Sequence, residues 1–517
     1  MPRNKKIIAF LSSILLLMLT VSCGRDVYMP FMNNEAARGI DFSRDPVTIT
    51  YLTIGDKPSN GMTEKAIERL NRILTKRLNA KLDIYFIGWS DYLSNYKSVL
   101  ESDEIELDLV GTSADWLSAW QLAINGSFMP LSEDMLRNYC GITFTNVTAA
   151  EWQSCSYQGN IYFIPENEYT QWTNHGFAYR KDIASRAGLD EVSSFDDMDR
   201  YFEYVTRFRP EMIPWDISEG NTNTAIGYIM SNSSYAPIYE LSAYGIWGEY
   251  ADNKGKIVSP YYVGNELVEY ARLMKKWNDI GVWREDLSLA EDNDAAFYRG
   301  GTSVVQDHTE NYYKSISPQM KIAMPETELG FFWFGKESGN LMKISNLHGA
   351  MAVSRKSKNP ERALMVYDLL RNNEECYRLL RYGIEGVQYE LTEDGLMEKP
   401  SGYNEDDQGI VTNFWWGRRD EFEIPDSFFS WDEYYALTNS YDHIAKKYPW
   451  DGVPFSTPMI NSEVERIAAV FDRYMPLIST GKYEEEPEVI VEQFREDLMK
   501  AGIERVTGQL QRIYNSQ

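Results

Sequence analysis

The sequence predicts an α/β protein with more than one domain, of which the first is built on a parallel, doubly wound sheet. Three apolar segments of strand length alternate with two segments of helical spacing between residues 47 and 110. Because this β-α-β-α-β order requires crossover helices, the strands run parallel and carry helices on their faces. The length of 517 residues supports more than one domain, since single hydrophobic cores stop growing at about 250–300 residues.

The first predicted domain places polar and aromatic residues at one edge of its sheet. We predict strands over residues 47–54, 82–87 and 107–110, and helices over residues 63–78 and 90–102. Ligands of such sheets bind beyond the carboxyl ends of the strands. Ser113, Asp115 and Trp116 follow the third strand closely, so topology alone makes them candidate binding residues.

The later segments continue as a mixture of strands and helices. Strands are predicted over residues 161–164, 177–180 and 345–353, and helices over residues 181–187, 194–208, 267–280, 360–370 and 487–503. Pro360 suits the first turn of its helix, where no backbone N–H is needed. From Pro400 onward the chain is rich in aromatic residues and polar turns.

The first 23 residues predict export and a lipid anchor. A short basic start is followed by a nearly unbroken apolar run over residues 7–21. This run of about 15 residues suits a signal peptide better than a membrane span, which needs about 20. A small residue then precedes Cys23, which resembles the bacterial lipobox, although Thr20 stands where that motif prefers leucine. We therefore expect a signal peptide over residues 1–22, a lipid such as palmitate on Cys23, and a tether over residues 23–46. A plain N-terminal anchor, or a secreted protein with a chance cysteine, is the alternative.

The charge of the chain excludes one class of partner. The formal net charge is −26 at pH 7, and removal of the predicted signal peptide takes away three basic residues and no acidic one. A surface this acidic repels phosphate backbones, so nucleic-acid binding is not expected. Because no second apolar run is long enough to span a membrane, we place the mature chain on the outer face of the cell membrane, held there by its lipid.

The cysteines and histidines do not indicate a metal site. Beyond the leader the chain has Cys140, Cys155 and Cys376, an odd number whose wide spacing suits neither a disulfide scaffold nor a paired-cysteine metal site. Cys140 and Cys155 could form a disulfide in an oxidising compartment, but buried thiols are favoured. The histidines are far apart in sequence and show no HExxH spacing, so neither a metal nor another cofactor is expected. We interpret His348 and His443 as structural residues.

A series of short motifs occurs in a characteristic order between residues 108 and 389. They are residues 108–116 (DLVGTSADW), 126–131 (GSFMPL), 159–165 (GNIYFIP), 179–182 (YRKD), 188–189 (GL), 297–300 (FYRG), 302–305 (TSVV), 350–353 (AMAV), 358–363 (KNPERA) and 382–386 (YGIEG) with Tyr389. In this order and spacing the motifs resemble extracellular solute-binding proteins (family 1 type) of ABC importers. The last motif is similar to the large lipoprotein branch found with oligosaccharide importers of Gram-positive bacteria.

This resemblance implies a two-lobed, periplasmic-binding-protein-like fold (type II), in which each lobe is a doubly wound sheet flanked by helices. The lobes would be discontinuous in sequence, because the chain of such proteins crosses between them more than once. Lobe one would hold residues 47–168 and 340–385. Lobe two would hold residues 169–335 and 386–517, including an aromatic-rich C-terminal extension. The resemblance further implies that hinge closure traps the ligand in the cleft between the lobes, for delivery to the transmembrane subunits of an ABC permease.

The aromatic content indicates a carbohydrate ligand. The chain has 14 Trp, 35 Tyr and 22 Phe residues, and an aromatic ring offers a flat apolar face to the C–H face of a sugar. The candidate ligand-binding residues combine such rings with polar groups near the predicted cleft: Ser113, Asp115, Trp116, Trp172, His175, Trp215, Trp247, Asp307, His308, Trp415 and Trp416. Any single aromatic residue is nevertheless more often a packing residue than a ligand contact.

Position along the chain supports several of these candidates. Trp172 and His175 lie at the predicted first crossing between the lobes, and Asp307 and His308 follow a predicted strand. Successive side chains of an extended segment point to opposite sides, so one of the two adjacent tryptophans near residue 415 can reach the cleft.

Two alternatives remain open. A surface glycoside hydrolase would also use an aromatic and acidic cleft, but it needs two positioned carboxyl groups, and no such signature is found. A binder of peptides or of another small solute on the same fold differs only in its ligand. We therefore expect a monomeric, non-enzymatic binding protein for an oligosaccharide, with the subunits of an ABC permease as partners.

Overall fold

A computed structural model of the chain describes residues 39–168, 175–218, 223–249, 255–290, 293–428, 431–455 and 460–516. The predicted signal peptide, Cys23, most of the predicted tether and the candidate residue Trp172 lie outside these ranges. None of the described helices combines the length and the apolar character that crossing a bilayer requires.

Strands and helices are numbered in chain order. The strands are β1 (Val47–Ile54), β2 (Ala80–Ile87), β3 (Leu109–Thr112), β4 (Ser156–Tyr157), β5 (Asn160–Ile161), β6 (Ile164–Pro165), β7 (His175–Arg180), β8 (Tyr235–Pro237), β9 (Trp247–Glu249), β10 (Lys256–Val258), β11 (Val304–His308), β12 (Leu329–Trp333), β13 (Ala350–Val353), β14 (Glu390–Leu391) and β15 (Met397–Glu398). The helices are α1 (Met62–Leu78), α2 (Tyr92–Glu101), α3 (Ala119–Ile124), α4 (Glu133–Tyr139), α5 (Gly141–Asn146), α6 (Ala149–Ser154), α7 (Lys181–Arg186), α8 (Phe195–Phe208), α9 (Asn223–Asn232), α10 (Glu266–Ile280), α11 (Asn293–Tyr298), α12 (Thr309–Asn311), α13 (Ser317–Ala323), α14 (Pro360–Asn372), α15 (Glu374–Arg381), α16 (Glu405–Gln408), α17 (Trp431–Ile444), α18 (Asn461–Thr480), α19 (Pro487–Ala501) and α20 (Ile503–Asn515). Single 3-10 turns occupy Tyr239–Tyr244, Leu287–Leu289, Phe414–Gly417 and Asp420–Phe422, and a π-helical turn occupies Tyr312–Ile316.

The first lobe is organised around a five-stranded sheet with the strand order β2-β1-β3-β13-β6. β1 pairs in parallel with β2 and β3, while β13 pairs antiparallel with β3 and β6. The predicted parallel β-α-β-α-β unit is therefore confirmed, and the first strand has the predicted bounds. Because β13 enters this sheet from a distant part of the chain, the lobe is discontinuous in sequence.

Helix α1 covers the first sheet because its apolar residues recur at helical spacing. Leu70 and Leu74 lie on one face of the helix and are fully buried. Asn79 ends the helix in the left-handed conformation, with φ 46°. Its side-chain amide donates hydrogen bonds to the backbone oxygens of Asp41 and Arg44, each at 3.0 Å. These bonds hold the chain before β1 at the amino end of the sheet.

The second lobe is organised around a three-stranded sheet with the order β11-β7-β12. β7 pairs antiparallel with both neighbours, so β11 and β12 run parallel to each other and the helices α12 and α13 connect them. The sheet is thus a single parallel crossover unit with one strand inserted between its two strands. With three strands and antiparallel pairing on both sides of β7, it is smaller than the doubly wound sheet that the resemblance implied.

The C-terminal part of the chain contacts both lobes. Helices α18, α19 and α20 pack against one another, and α18 and α19 also pack against α10 of the second lobe. The backbone oxygen of Asn413, by contrast, accepts hydrogen bonds from Tyr51 Oη at 3.0 Å and from Thr53 Oγ1 at 3.2 Å. The segment around Asn413, which the sequence interpretation assigned to the second lobe, therefore lies on the first sheet.

Three cysteines occur in the described ranges, and Cys140, Cys155 and Cys376 are all free and buried. Burial raises the pKa of the Cys140 and Cys155 thiols, and a raised pKa keeps a thiol protonated near neutral pH. This agrees with the favoured interpretation of these residues as buried thiols.

Candidate ligand-binding cleft

Four tryptophan rings gather at the carboxyl edge of the first sheet. Trp89 follows β2, Trp116 follows β3, and Trp415 and Trp416 belong to the 3-10 turn after Asn413. Trp89 stacks on Trp116 and on Trp415, with ring centroids 6.0 Å apart in each pair. Trp116 also stacks on Trp416, with the centroids 5.7 Å apart. We call these four residues the tryptophan platform.

Trp416 is the buried base of the tryptophan platform. Its side chain is 0% exposed, and its Nε1 donates a hydrogen bond to Thr53 Oγ1 at 3.1 Å. Its backbone oxygen accepts a hydrogen bond from Tyr367 Oη at 3.0 Å. Gly111 in β3 makes room for the ring, because a Cβ at this position would lie 2.5 Å from it. A glycine in the strand is therefore what allows the indole to pack directly on the sheet.

The other rings of the tryptophan platform are accessible. Trp89 is 45% exposed, and Trp116 and Trp415 are half-buried. An indole ring that is held in place by neighbouring rings and remains partly accessible to solvent is suited to packing against the C–H face of a sugar. Trp89 was missed in the sequence interpretation. It is the second residue after β2, and the topological argument that selected Trp116 after β3 applies equally to it.

A chain of hydrogen-bonded polar side chains lies beside the tryptophan platform. Ser113 Oγ donates to Asp115 Oδ1 at 2.5 Å, and His348 Nδ1 lies 2.6 Å from Asp115 Oδ2. Burial lowers the pKa of His348, but the Asp115 carboxylate more than offsets this and the net pKa is raised. Burial raises the pKa of Asp115, but His348 and Ser113 more than offset this and the net pKa is lowered. Asp115 and His348 thus favour each other's charged forms. His348, which the sequence interpretation treated as structural, lies beside the tryptophan platform through this contact and becomes a further candidate.

Removing His348 is expected to change how stability depends on pH. A histidine with a raised folded pKa stabilises the fold below its unfolded pKa of about 6.5, and this contribution is lost as the pH rises through the folded value. An aspartate with a lowered folded pKa stabilises above about pH 4 and loses its contribution as the pH falls through the folded value. Wild type is therefore expected to exceed His348→Gln in unfolding free energy by about 1 kcal/mol at pH 5.5, and by less at pH 8.5.

Urea denaturation of both proteins at the two pH values measures this difference. Asp115→Asn is the control, since it should show the same reduced pH dependence by removing the other partner. If the difference in unfolding free energy between wild type and His348→Gln is the same at pH 5.5 and pH 8.5, the Asp115–His348 pair does not titrate as described.

The second lobe contributes a pair of histidines to the same cleft. His175 begins β7 and His308 ends β11, where the two residues are paired in register. Their ring centroids are 5.6 Å apart and the rings are nearly perpendicular, at 86°. The His175 side chain is exposed at the end of its strand, but the protein atoms around it disfavour a charge there and lower its pKa to about 4; His308 and, more weakly, His348 of the first lobe lower the pKa further, and Asp307 opposes them. The three histidines therefore face one cleft from both lobes. Asp307, beside His308, accepts a hydrogen bond from the side-chain amide of Asn311.

The structure divides the candidate binding residues predicted from the sequence into those beside the cleft and those in the hydrophobic core. Those with accessible side chains beside the cleft are Asp115, Trp116 and Trp415 on the first lobe, and His175, Asp307 and His308 on the second. Ser113 and Trp416 are both 0% exposed, so the expectation that they contact a ligand directly is corrected: Ser113 holds Asp115, and Trp416 supports the accessible rings from within the core.

Trp215 and Trp247 do not reach the cleft, since they are 1% and 0% exposed. The ring of Trp215 packs on Phe177 in the second lobe, with the centroids 5.0 Å apart. The expectation that these two tryptophans contact a ligand is therefore corrected, because both are core residues.

Metal binding finds no geometric support in the described chain. Within the residues that the structure describes, no three side chains of His, Cys, Asp or Glu are arranged to hold a metal ion. The cleft combines indole faces, one carboxylate–histidine pair and a second pair of histidines. Such an arrangement can stack on and hydrogen-bond a polar ligand.

Comparison with known proteins shows that most of the chain is similar to solute-binding proteins. A family model described as a domain of unknown function (DUF3502) matches residues 452–516. The chain is 22% identical to a carbohydrate ABC transporter substrate-binding protein of Streptococcus pneumoniae serotype 4 (strain ATCC BAA-334 / TIGR4), over 94% of this chain and 93% of that protein.

Solved structures extend this comparison to the fold. The N-glycan transport solute binding protein (NgtS) from Streptococcus pneumoniae in complex with Man1GlcNAc has a TM-score of 0.68 at 19% identity, covering 91% of this chain and 99% of that chain. Its complex with Man5GlcNAc has a TM-score of 0.64 at 20% identity, covering 91% and 98%. An extracellular solute-binding protein from Bifidobacterium longum subsp. infantis has a TM-score of 0.64 at 15% identity, covering 91% and 98%.

These likenesses confirm the predicted fold class. The chain has the two-lobed α/β fold of solute-binding proteins. They also confirm the resemblance to solute-binding proteins of ABC importers that the sequence motifs indicated. At such low identity the solved structures define the fold and not the ligand contacts, so the candidate residues of the cleft stay predictions.

Proposed function

We propose that this protein is the lipid-anchored substrate-binding protein of an ABC transporter, which captures an oligosaccharide between its lobes and delivers it to a membrane permease. The observation that carries the proposal is the tryptophan platform beside the Asp115–His348 pair. Indole faces bind the C–H faces of sugar rings, and a carboxylate–histidine pair offers hydrogen-bonding groups to their hydroxyls. The two features together suit a glycan better than a purely apolar or purely ionic solute.

The similar proteins support a sugar as the ligand. One is described as a carbohydrate ABC transporter substrate-binding protein. NgtS is described as an N-glycan transport protein, in complexes with Man1GlcNAc and Man5GlcNAc.

The placement of polar groups on both lobes supports capture by closure. The tryptophan platform and the Asp115–His348 pair belong to the first lobe, and the His175–His308 pair belongs to the second. A ligand that contacts both lobes binds the closed form more tightly than the open form, so binding shifts the population toward the closed form. The permease would then recognise the closed, loaded protein.

The N-terminal segment would hold this capture protein near its transporter. Lipidation of Cys23 would fix the chain to the outer face of the membrane, and the tether over residues 23–46 would set its reach.

A thermal-shift titration with named compounds tests the proposed function. Purified protein is titrated with Man1GlcNAc, with Man5GlcNAc and, as a different class of solute, with a tripeptide. A ligand at 100 times its Kd stabilises the folded state by about 2.7 kcal/mol. A shift with a glycan and none with the peptide supports the proposal, and the reverse result overturns the sugar assignment. Release of shorter glycans from Man5GlcNAc during the incubation would overturn the assignment as a binding protein and indicate a hydrolase.

Trp116→Ala is expected to remove the glycan-induced thermal shift while leaving the protein folded. The ring is half-buried and stacks between Trp89 and Trp416, so its loss takes away the centre of the tryptophan platform. The expected loss of affinity is at least about fivefold, since an aromatic contact of this kind contributes about 1 kcal/mol or more.

A matched control for this variant is available on the same lobe. Phe42 is 55% exposed and lies at the amino end of the first sheet, away from the cleft. Phe42→Ala is expected to keep the full ligand shift. Persistence of the shift in Trp116→Ala would show that Trp116 is not a cleft residue.

A further inference from the structure

Helix α1 of the first lobe carries a row of basic residues on its solvent face. The residues recur at intervals of three and four positions, which places them on one side of the helix, and all four are exposed: Lys65, Arg69, Arg72 and Lys76. Leu70 and Leu74 lie on the opposite face, which is buried against the sheet. At 1.5 Å per residue the row extends over about 16 Å. We call these four residues the α1 basic row.

The α1 basic row keeps its positive charge. In the part of the chain that the structure describes, none of its four side chains forms an ion pair with a carboxylate. Glu64, in the first turn of the helix, is paired with Lys57 at 2.6 Å. Glu68 is exposed on the same helix and adds one negative charge against four positive ones. In a chain of net charge −26 the row is a local exception to an acidic surface, and a basic amphipathic helix is typical of contact with a membrane surface.

The positive charge of the row is greatest toward the end of the helix. Three acidic residues line a cavity together with Arg69: Glu374, Glu375 and Glu385. Of these, Glu374 is paired with Arg378 at 2.7 Å. Arg72 and Lys76 do not line this cavity. The last turns of α1 therefore carry the part of the row that has the fewest carboxylates beside it.

The chain enters the first lobe at this same end of α1. Asn79, directly after the helix, donates its side-chain amide to the backbone oxygens of Asp41 and Arg44, each at 3.0 Å. Lys76 precedes Asn79 by about one helical turn. Phe42, between the two bonded residues, is 55% exposed and offers an apolar ring to solvent where the chain enters. A tether that leads to a membrane therefore starts beside the most positive part of α1.

We propose that the α1 basic row docks the first lobe on the anionic lipid surface to which Cys23 anchors the chain. This inference rests on the lipid anchor of the proposed function and deepens it, because it gives the anchored protein a preferred orientation. The chain from Cys23 to Gly39 spans at most about 55 Å, so the anchor keeps the row at a high effective concentration near the surface. Negative charges elsewhere on the chain oppose docking only weakly, since charges more than about 10 Å from the surface are screened at 0.1 M salt.

Docking through the α1 basic row leaves the cleft accessible. The end of α1 lies at the amino end of the first sheet, where Asn79 holds the chain before β1. The tryptophan platform lies at the carboxyl edge of the same sheet. A lobe that rests on the membrane through the row therefore keeps its ligand-binding edge free.

Lysine footprinting on vesicles tests this orientation. The mature chain, which starts at Cys23, is attached through the Cys23 thiol to a maleimide-bearing lipid. Cys140, Cys155 and Cys376 are buried and do not compete for the reagent. The vesicles consist of phosphatidylcholine alone or of an equal mixture of phosphatidylcholine and phosphatidylglycerol. Accessible amines are then acetylated by a water-soluble reagent, and mass spectrometry measures the extent of reaction at each lysine.

Acetylation of Lys65 and Lys76 is expected to be at least about threefold lower on the anionic vesicles than on the neutral ones. Lys500 in α19, whose side chain is 66% exposed, is expected to react equally on both. A basic residue at an anionic surface contributes about a fivefold preference, so Arg69→Ala/Arg72→Ala is expected to weaken docking roughly 25-fold and to restore acetylation of both lysines. Salt at about 1 M, where the Debye length is about 3 Å, is expected to do the same.

The matched control removes two cations from the second lobe. Arg200 and Arg207 are exposed on α8, and Arg200→Ala/Arg207→Ala is expected to leave the protection of Lys65 and Lys76 unchanged. Equal acetylation of these two lysines on both kinds of vesicle overturns the inference. Protection that arises only after permease subunits are added also overturns it, and assigns the α1 basic row to a protein partner.

The result is independent of glycan binding. The thermal shift with glycan is measured without vesicles, and Arg69→Ala/Arg72→Ala is expected to keep that shift in full. Loss of membrane protection with an intact glycan shift overturns the docking surface and leaves the proposed function standing. Chemical attachment through Cys23 also makes the vesicle experiment independent of lipidation in the cell, which the mass of the exported protein tests separately.

Discussion

Replacing Trp416 with alanine is expected to lower the free energy of unfolding by about 3–5 kcal/mol and to abolish glycan binding by the molecules that remain folded. The ring is fully buried, its Nε1 donates to Thr53, and Trp116 stacks on it. Trp415 packs on the ring as well, with the centroids 5.0 Å apart. The substitution leaves a large cavity on the first sheet, next to Gly111, and takes away the support of the accessible rings. Chemical denaturation measures the first effect, and calorimetry at a temperature where the variant is folded measures the second.

Trp450→Ala is the matched control for Trp416→Ala. Trp450 is also 0% exposed, but it packs on Phe455 and Tyr514 in the C-terminal part of the chain, away from the tryptophan platform. It is expected to lose stability by a similar amount and to keep its affinity for glycan. If folded Trp416→Ala binds as tightly as Trp450→Ala, the accessible rings do not depend on Trp416 for their position.

The parts of the fold that sequence predicts well are those determined by local patterns. β1 and α1 follow from the spacing of apolar residues within each segment, and both occur as predicted, to within one residue at the start of α1. The position of Asp115 and Trp116 at the carboxyl edge of the first sheet follows from the order of these segments, since parallel strands end at one edge of a sheet. The same reasoning applied to β2 would have found Trp89.

The parts that sequence does not predict depend on contacts between distant residues. His348 is separated from Asp115 by 233 positions, and no local pattern links the two. Trp215 and Trp247 carry the same indole as Trp116, and only the packing around them buries their rings. Their side chains therefore belong to the core, although composition alone made them equal candidates.

Arg371→Met is expected to lower the free energy of unfolding by about 1.5–3 kcal/mol, because it removes a buried guanidinium that donates to Pro165 and Asn167. Arg371 is 1% exposed, its Nη1 donates to the backbone oxygen of Pro165 at 3.2 Å, and its Nη2 donates to Asn167 Oδ1 at 2.6 Å. Glu166, between these two residues, is 7% exposed. Burial lowers the pKa of Arg371, but Tyr367 and Glu166 more than offset this and the net pKa is raised. Urea denaturation at pH 7 measures the loss.

A second substitution, at Glu166, separates the electrostatic contribution of Arg371 to the free energy of unfolding from the contribution of its packing. In Arg371→Met, the Glu166→Gln change removes a buried negative charge that the guanidinium no longer favours, so the double variant is expected to be more stable than Arg371→Met. In wild type the same Glu166→Gln change is expected to destabilise, because it removes one of the two carboxylates, Glu166 and Glu168, that favour the buried guanidinium. The expected effect of Glu166→Gln on the free energy of unfolding therefore has opposite signs in wild type and in Arg371→Met. If Glu166→Gln has the same effect in both backgrounds, Arg371 acts through its hydrogen bonds to Pro165 and Asn167 alone. It then holds the end of β6, just before the first crossing between the lobes, without electrostatic help from Glu166.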